Sequence, residues 1–177
     1  MIGIMKEFKY PFIAKVIYRY ANIPVSILLL FYVFLSGVAA AKEWIYILPM
    51  LINLILLYVM NRYYFKMYRL FPYNIKADNS KIVCSDFMNK TKTVEINLSD
   101  VGKITGGIFS GSPVKPIYIY DEKNDVTIGF NQHLKDYNKF LTIVLSNIKQ
   151  DLYNELLKNI KDNSIVNKYQ SKKEKKK

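Results

Sequence analysis

Two uncharged apolar runs, Ile23 to Ala41 and Trp44 to Met60, lie almost back to back, parted only by Lys42-Glu43. A bilayer's hydrocarbon core is about 30 Å thick, and a helix of roughly 20 apolar residues crosses it. Each run is near that length, so residues 23–64 are expected to form a transmembrane helical hairpin to which the rest of the chain is attached. A cleaved leader would leave the second run unexplained, although Ala39-Ala40-Ala41 has the small residues of a cleavage site.

Charge placement orients the hairpin. The formal net charge is +12, yet residues 77–162 carry eleven basic and eleven acidic side chains and are neutral. The excess lies beside the apolar runs and in the Lys-rich end of the chain. A nucleic-acid reader carries its basic patch on the folded domain, so nucleic acid is not an expected partner. Lys6, Lys9, Lys15 and Arg19 precede the first run, Arg62, Lys66 and Arg69 follow the second, and the connecting turn has Lys42 offset by Glu43. The positive-inside bias then puts both termini in the cytoplasm of a multi-pass inner (plasma) membrane protein. Tyr18, Tyr20, Trp44, Tyr46, Tyr58, Tyr63 and Tyr64 mark the two boundaries, where an apolar ring with a polar tip is favoured.

Around the hairpin, residues 1–22 are expected to be an interfacial segment. Phe12, Ile13, Val16, Ile17 and Tyr20 recur at helical spacing, with Lys15 and Arg19 on another side and Pro11 at the start. Lys15, Arg19, Arg62, Lys66 and Arg69 are candidate lipid-headgroup contacts. Within the spans, Ser36 and Gly37, with Ala40 and Ala41, form a small-residue patch suited to a second helix or a second copy. Asn53 needs a partner for its amide, either inside the hairpin or in an oligomer or pore. Pro24 and Pro49 stand near helix starts, where a missing N–H is tolerated. Residues 65–72 continue as a helical connector that Pro72 ends.

From Tyr73 the apolar period drops to two. Strands are expected at 73–77, 81–87, 91–98, 101–104, 116–120 and 126–130, with turns at Asp78-Asn79-Ser80, Met88-Asn89-Lys90 and Glu122-Lys123-Asn124-Asp125. Leu134, Tyr137, Leu141, Val144, Leu145 and Ile148 then form one helical face, with Asn131 or its neighbours as a cap. An extra helix at 149–163 continues through Leu152, Leu156 and Ile160. Residues 164–177 are too polar and Lys-rich to fold and are expected to be disordered.

The stretch Ile96-Asn97-Leu98-Ser99-Asp100-Val101-Gly102-Lys103-Ile104, and Tyr120-Asp121-Glu122-Lys123-Asn124 ahead of Val126-Thr127-Ile128, carry a resemblance. With the preceding hairpin, residues 73–148 resemble the bacterial pleckstrin-homology-like membrane proteins. That resemblance implies a membrane helical hairpin plus an α+β cytoplasmic domain, a PH-like antiparallel curved sheet or barrel capped by a C-terminal helix. It implies no common activity.

No catalytic set can be assembled. His133 is the one histidine, the one cysteine, Cys84, sits mid-strand as a core residue, and the carboxylates fall on turns and solvent faces. Gly106 to Pro113 is Gly-rich but lacks the Gly-Lys-Ser/Thr end of a phosphate loop. Its Ile108 and Phe109 are candidate interaction residues that could dip into lipid or dock on a partner; the alternative is a mobile hairpin tip without such a role. No enzyme activity, cofactor or metal is expected. The leading function is presentation of the domain to a protein partner or to further copies at the membrane. The alternatives are an anionic-lipid sensor and a small homo-oligomeric channel.

Overall fold

The computed structural model describes residues 5–112 and 114–174, with side chains as far as residue 163. The chain divides into two compact units. One is Phe12–Arg69, and the other combines the segment before it with everything from Leu70 onward.

The first unit is helical. α1 (Phe12–Tyr20) runs through Ala21, whose backbone is helical, into α2 (Asn22–Ala40). The break at Ala21 falls one turn ahead of Pro24, which has no N–H to offer the carbonyl of Tyr20. A short turn leads to a 3-10 segment at Trp44–Tyr46 and then α3 (Ile47–Leu70). Pro49 has the same relation to Ile45 in the 3-10 segment. Helix α3 continues through the expected connector and stops just ahead of Pro72.

Among the described residues, the second unit holds seven antiparallel strands in two sheets. β1 (Lys6–Lys9), β2 (Asn74–Ala77), β3 (Lys81–Ser85) and β4 (Val94–Asn97) lie in that order in one sheet. β5 (Val101–Gly106), β6 (Ile117–Asp121) and β7 (Val126–Phe130) make the other. Alternation carries Phe8, Ile75, Ala77, Ile82, Cys84 and Ile96 inward. The turns have the expected chemistry. Asp78 Oδ1 accepts from the Ser80 N–H at 2.7 Å and the Lys81 N–H at 2.9 Å, an Asx turn between β2 and β3. Between β6 and β7, buried Asp121 accepts from the N–H groups of Lys123 (2.9 Å) and Asn124 (3.1 Å).

β1 corrects the expectation that residues 1–22 form one interfacial segment. Lys6–Lys9 is a strand paired to β2 in the register Lys6↔Ala77 to Lys9↔Asn74. Four residues are too few for a period-2 pattern, and the partner is some 65 positions away in the chain, so only the sheet reveals the strand.

α4 (Tyr137–Asn147) buries Phe140, Leu141 and Val144. It starts later than the apolar pattern suggests. Leu134 belongs to the preceding turn, and Asp136, with a φ of 56°, rather than Asn131, stands at the cap position. Ile148 is extended, which separates α4 from α5 (Gln150–Glu174). α5 passes the expected end at 163 and stays helical through Glu174, a correction to the disordered tail as far as that residue. Lys, Glu and Gln are good helix formers, and extending an existing helix avoids the cost of nucleation. Residues 175–177 of that expectation lie outside the described residues.

The core of this unit is aromatic. Phe140 lies 5.3 Å from Phe8 and 4.9 Å from Phe130, ring centre to ring centre. Phe71 packs edge-on to Tyr118 at 5.8 Å and lies over Gly129, where a Cβ would come within 2.6 Å of the ring. A side chain at 129 would therefore displace Phe71.

Candidate membrane anchor and interaction surfaces

In the helical unit the apolar side chains point outward. The stretches Phe12–Ala40 and Trp44–Leu70 are 29 and 27 residues long, and in the most apolar part of each no residue is buried. Leu28, Phe31, Phe34, Leu48, Ile52 and Ile55 are all about half exposed or more. A water-soluble protein rarely exposes a continuous apolar surface of this size. At 1.5 Å per residue the two stretches are about 40 Å long, enough to cross the hydrocarbon and reach into the headgroup layers.

Four polar side chains of the unit, Asn22, Ser26, Asn61 and Tyr68, meet between the helices. Asn22 is buried and donates from Nδ2 to Asn61 Oδ1 at 3.2 Å. Asn61 Nδ2 donates to Ser26 Oγ at 2.9 Å and to the Leu57 carbonyl at 3.0 Å. The Tyr68 hydroxyl reaches the Arg19 carbonyl and Asn22 Oδ1. Both amide oxygens and both amide nitrogens thus have partners, as apolar surroundings demand. Asn22, Ser26 and Tyr68 are functional candidates that the sequence pattern does not single out, because one Asn or Ser beside an apolar run is unremarkable. The available signal is symmetry: Asn22 and Asn61 lie at similar distances on either side of Lys42-Glu43.

The small-residue patch is used in the same interface. A Cβ at Gly37 would sit 3.8 Å from Met50 Sδ on α3. Gly37 faces Met50 as Ser26 faces Asn61, and each pair is eleven residues from the other along its helix. Eleven residues are about three turns, so one stripe of each helix meets the other throughout. Ser36 beside it is half-buried. Asn53 donates to the Pro49 carbonyl of its own helix at 2.8 Å. One of its two amide N–H bonds is therefore satisfied within its own helix.

The basic candidates divide. Arg62, Lys66 and Arg69 are exposed on α3 at i, i+4 and i+7, and Arg62 also donates to the Tyr58 hydroxyl at 3.2 Å. Arg19 is buried and Lys15 half-buried. Arg19 shares a helix face with Asn22 and Ser26, which corrects its assignment as an exposed headgroup contact. At the start of α1, Phe12 and Ile13 are 79% and 72% exposed.

In the sheet unit, part of the Gly-rich loop packs under α5. Gly107–Ser110 is a 3-10 turn, Phe109 is buried, and its carbonyl accepts from Asn163 Nδ2 on α5 at 3.2 Å. Phe109 is thereby corrected from interaction residue to core, because α5 is long enough to cover the loop. Ile108 remains about one-third exposed. Gly106 has a φ of 85° and a Cβ there would meet the Pro116 carbonyl, so the turn requires glycine. Cys84 is fully buried, and burial pushes its thiol well above the usual range. Among the described residues, no three His, Cys, Asp or Glu side chains group as metal ligands. No protein-family model, curated protein or solved structure matches this chain.

Proposed function

We propose that this chain is an integral membrane protein whose hairpin crosses the inner membrane twice. It holds a PH-like α+β domain on the cytoplasmic side, for contact with a protein partner or with further copies of itself, and its role is not enzymatic. The observation that carries the membrane part is the outward apolar surface of α2 and α3, with Asn22, Ser26 and Asn61 turned between them. Connectivity supports the two-crossing topology. β1 precedes the hairpin, β2 follows it, and the two pair in one sheet. An even number of crossings must separate them. The cytoplasmic side follows from the basic flanks against the nearly uncharged turn. Two antiparallel sheets followed by α4 support the PH-like layout.

Native mass measurement of the protein extracted in mild detergent tests this function. A partner or a multiple of the 20.7 kDa chain is expected. A lone protomer without a partner overturns it. A second reading, anionic-lipid sensing, is favoured by the exposed Arg62, Lys66 and Arg69 on one helix face. Binding of the intact protein to lipid that is indifferent to anionic headgroups and to salt overturns that reading. The third reading, a small homo-oligomeric channel, rests on Asn53 and the small-residue patch, of which Asn53 donates within its own helix and Gly37 faces Met50.

A further inference from the structure

The strand Lys6–Lys9 is joined to the sheet unit at several points. Its backbone pairs with β2 along its whole length. The Phe8 ring is buried against Phe140. The buried Tyr10 hydroxyl accepts the Asn131 N–H at 2.8 Å, and the Lys9 carbonyl accepts the Lys135 N–H at 3.0 Å. Residues 6–10 therefore cover an edge of the sheet, fill part of the aromatic core and hold the turn ahead of α4. Without them β2 becomes an open edge above an unfilled apolar site, the arrangement that invites wrong pairing or aggregation.

Between this strand and its partner lie both apolar helices. The strand is synthesised first and has no partner until the second helix is complete. If only one helix crossed the membrane, Lys9 and Asn74 would lie on opposite faces, separated by about 30 Å of hydrocarbon. We propose that β1 is a topology-dependent closing strand: the α+β domain becomes complete only in chains whose hairpin has crossed twice, so whatever the domain binds is withheld from misinserted chains. This rests on the hairpin crossing the membrane.

The test uses the full chain in membranes. Glu7 and Lys76 are exposed register partners. Directly paired strand positions have Cα atoms about 4.5–5.5 Å apart, within disulfide range. The double variant Glu7→Cys/Lys76→Cys is oxidised and scored for the intrachain cross-link. It is compared with the same chain carrying Leu54→Lys, Ile55→Lys and Leu56→Lys, which bar the second crossing. The cross-link is expected to form in the parent and to be lost in the lysine chain. The lysine chain's domain is expected to be digested about tenfold faster or more, the consequence of a more populated open form. To separate this from general misfolding, a second copy of residues 5–11 is appended after residue 177 through a flexible linker. In the lysine chain this copy stands on the domain's side and is expected to restore protease resistance. Persistence of the cross-link in the lysine chain, unchanged digestion, or failure of the appended copy to rescue each overturns the proposal. Release of the parent by alkaline carbonate instead overturns the membrane reading beneath it.

Discussion

Phe8, ahead of both apolar helices, packs its ring 5.3 Å from that of Phe140, which follows β7. This contact joins the two ends of the sheet unit across the whole hairpin. Phe8→Ala removes a buried aromatic that α4 cannot easily collapse to replace, at a cost of about 3–5 kcal/mol. Denaturant unfolding of the detergent-solubilised protein, followed by aromatic fluorescence, measures it. A loss below about 1 kcal/mol would place the ring outside the core.

Asn22 and Asn61 form the polar lock of the hairpin. A double-mutant cycle with Asn22→Leu and Asn61→Leu is expected to give a coupling of about 0.6–1.7 kcal/mol, the range for hydrogen bonds between membrane helices. Strict additivity would show that the two amides do not interact. Asn53→Leu serves as the contrast, since its bond lies within one helix, and it should leave helix–helix association unchanged.

Acid should destabilise the sheet unit through particular carboxylates. A hydrogen bond from Lys9, then Asn74, lowers the Glu7 pKa; Ser80 does so for Asp78, and Asn97 for Asp100. In the unfolded chain such groups titrate near about 4. A depressed folded pKa stabilises above that value and ceases to do so as the pH falls through the folded value. Thermal midpoints should therefore be level from neutral pH down to about 5 and decline below about 4. A rise in midpoint on acidification would contradict the assignment.

Cys84 should be silent toward thiol reagents. Its thiolate is disfavoured by complete burial, so the native protein should resist maleimide at mildly alkaline pH and react fully once unfolded. The raised folded pKa gives stability that is fully present below the ordinary thiol value of about 8.5, declines above it and is lost only as the pH rises through the raised folded value. Rapid labelling of the folded protein would show that β3 opens or that the thiol is not in the core.

Local chemistry was legible in the sequence where it acts over a few residues. Asp78-Asn79-Ser80 and the turn after Asp121 carry their own hydrogen-bond acceptors, and Val94, Ile96 and Leu98 alternate cleanly into the core. Phe109 was not legible, because glycines beside an aromatic look like a loose loop until α5 is laid over them. Nor was Arg19, because a cation next to an apolar run has two available surroundings, headgroups or a helix interface, and spacing alone does not choose between them.

By itself the sequence determined that two helices must shed water along their length, because uncharged runs of that length have no other stable environment. It also determined that an alternating, neutral segment follows them. Only the tertiary structure decided that the hairpin is an insertion within the sheet unit. A four-residue strand has no signature of its own, and its identity comes entirely from backbone hydrogen bonds to a partner on the far side of both helices. Likewise, only the packed hairpin brings Asn22 to Asn61. Side chains on separate helices find each other through the register of the two helices, which no local window of sequence contains.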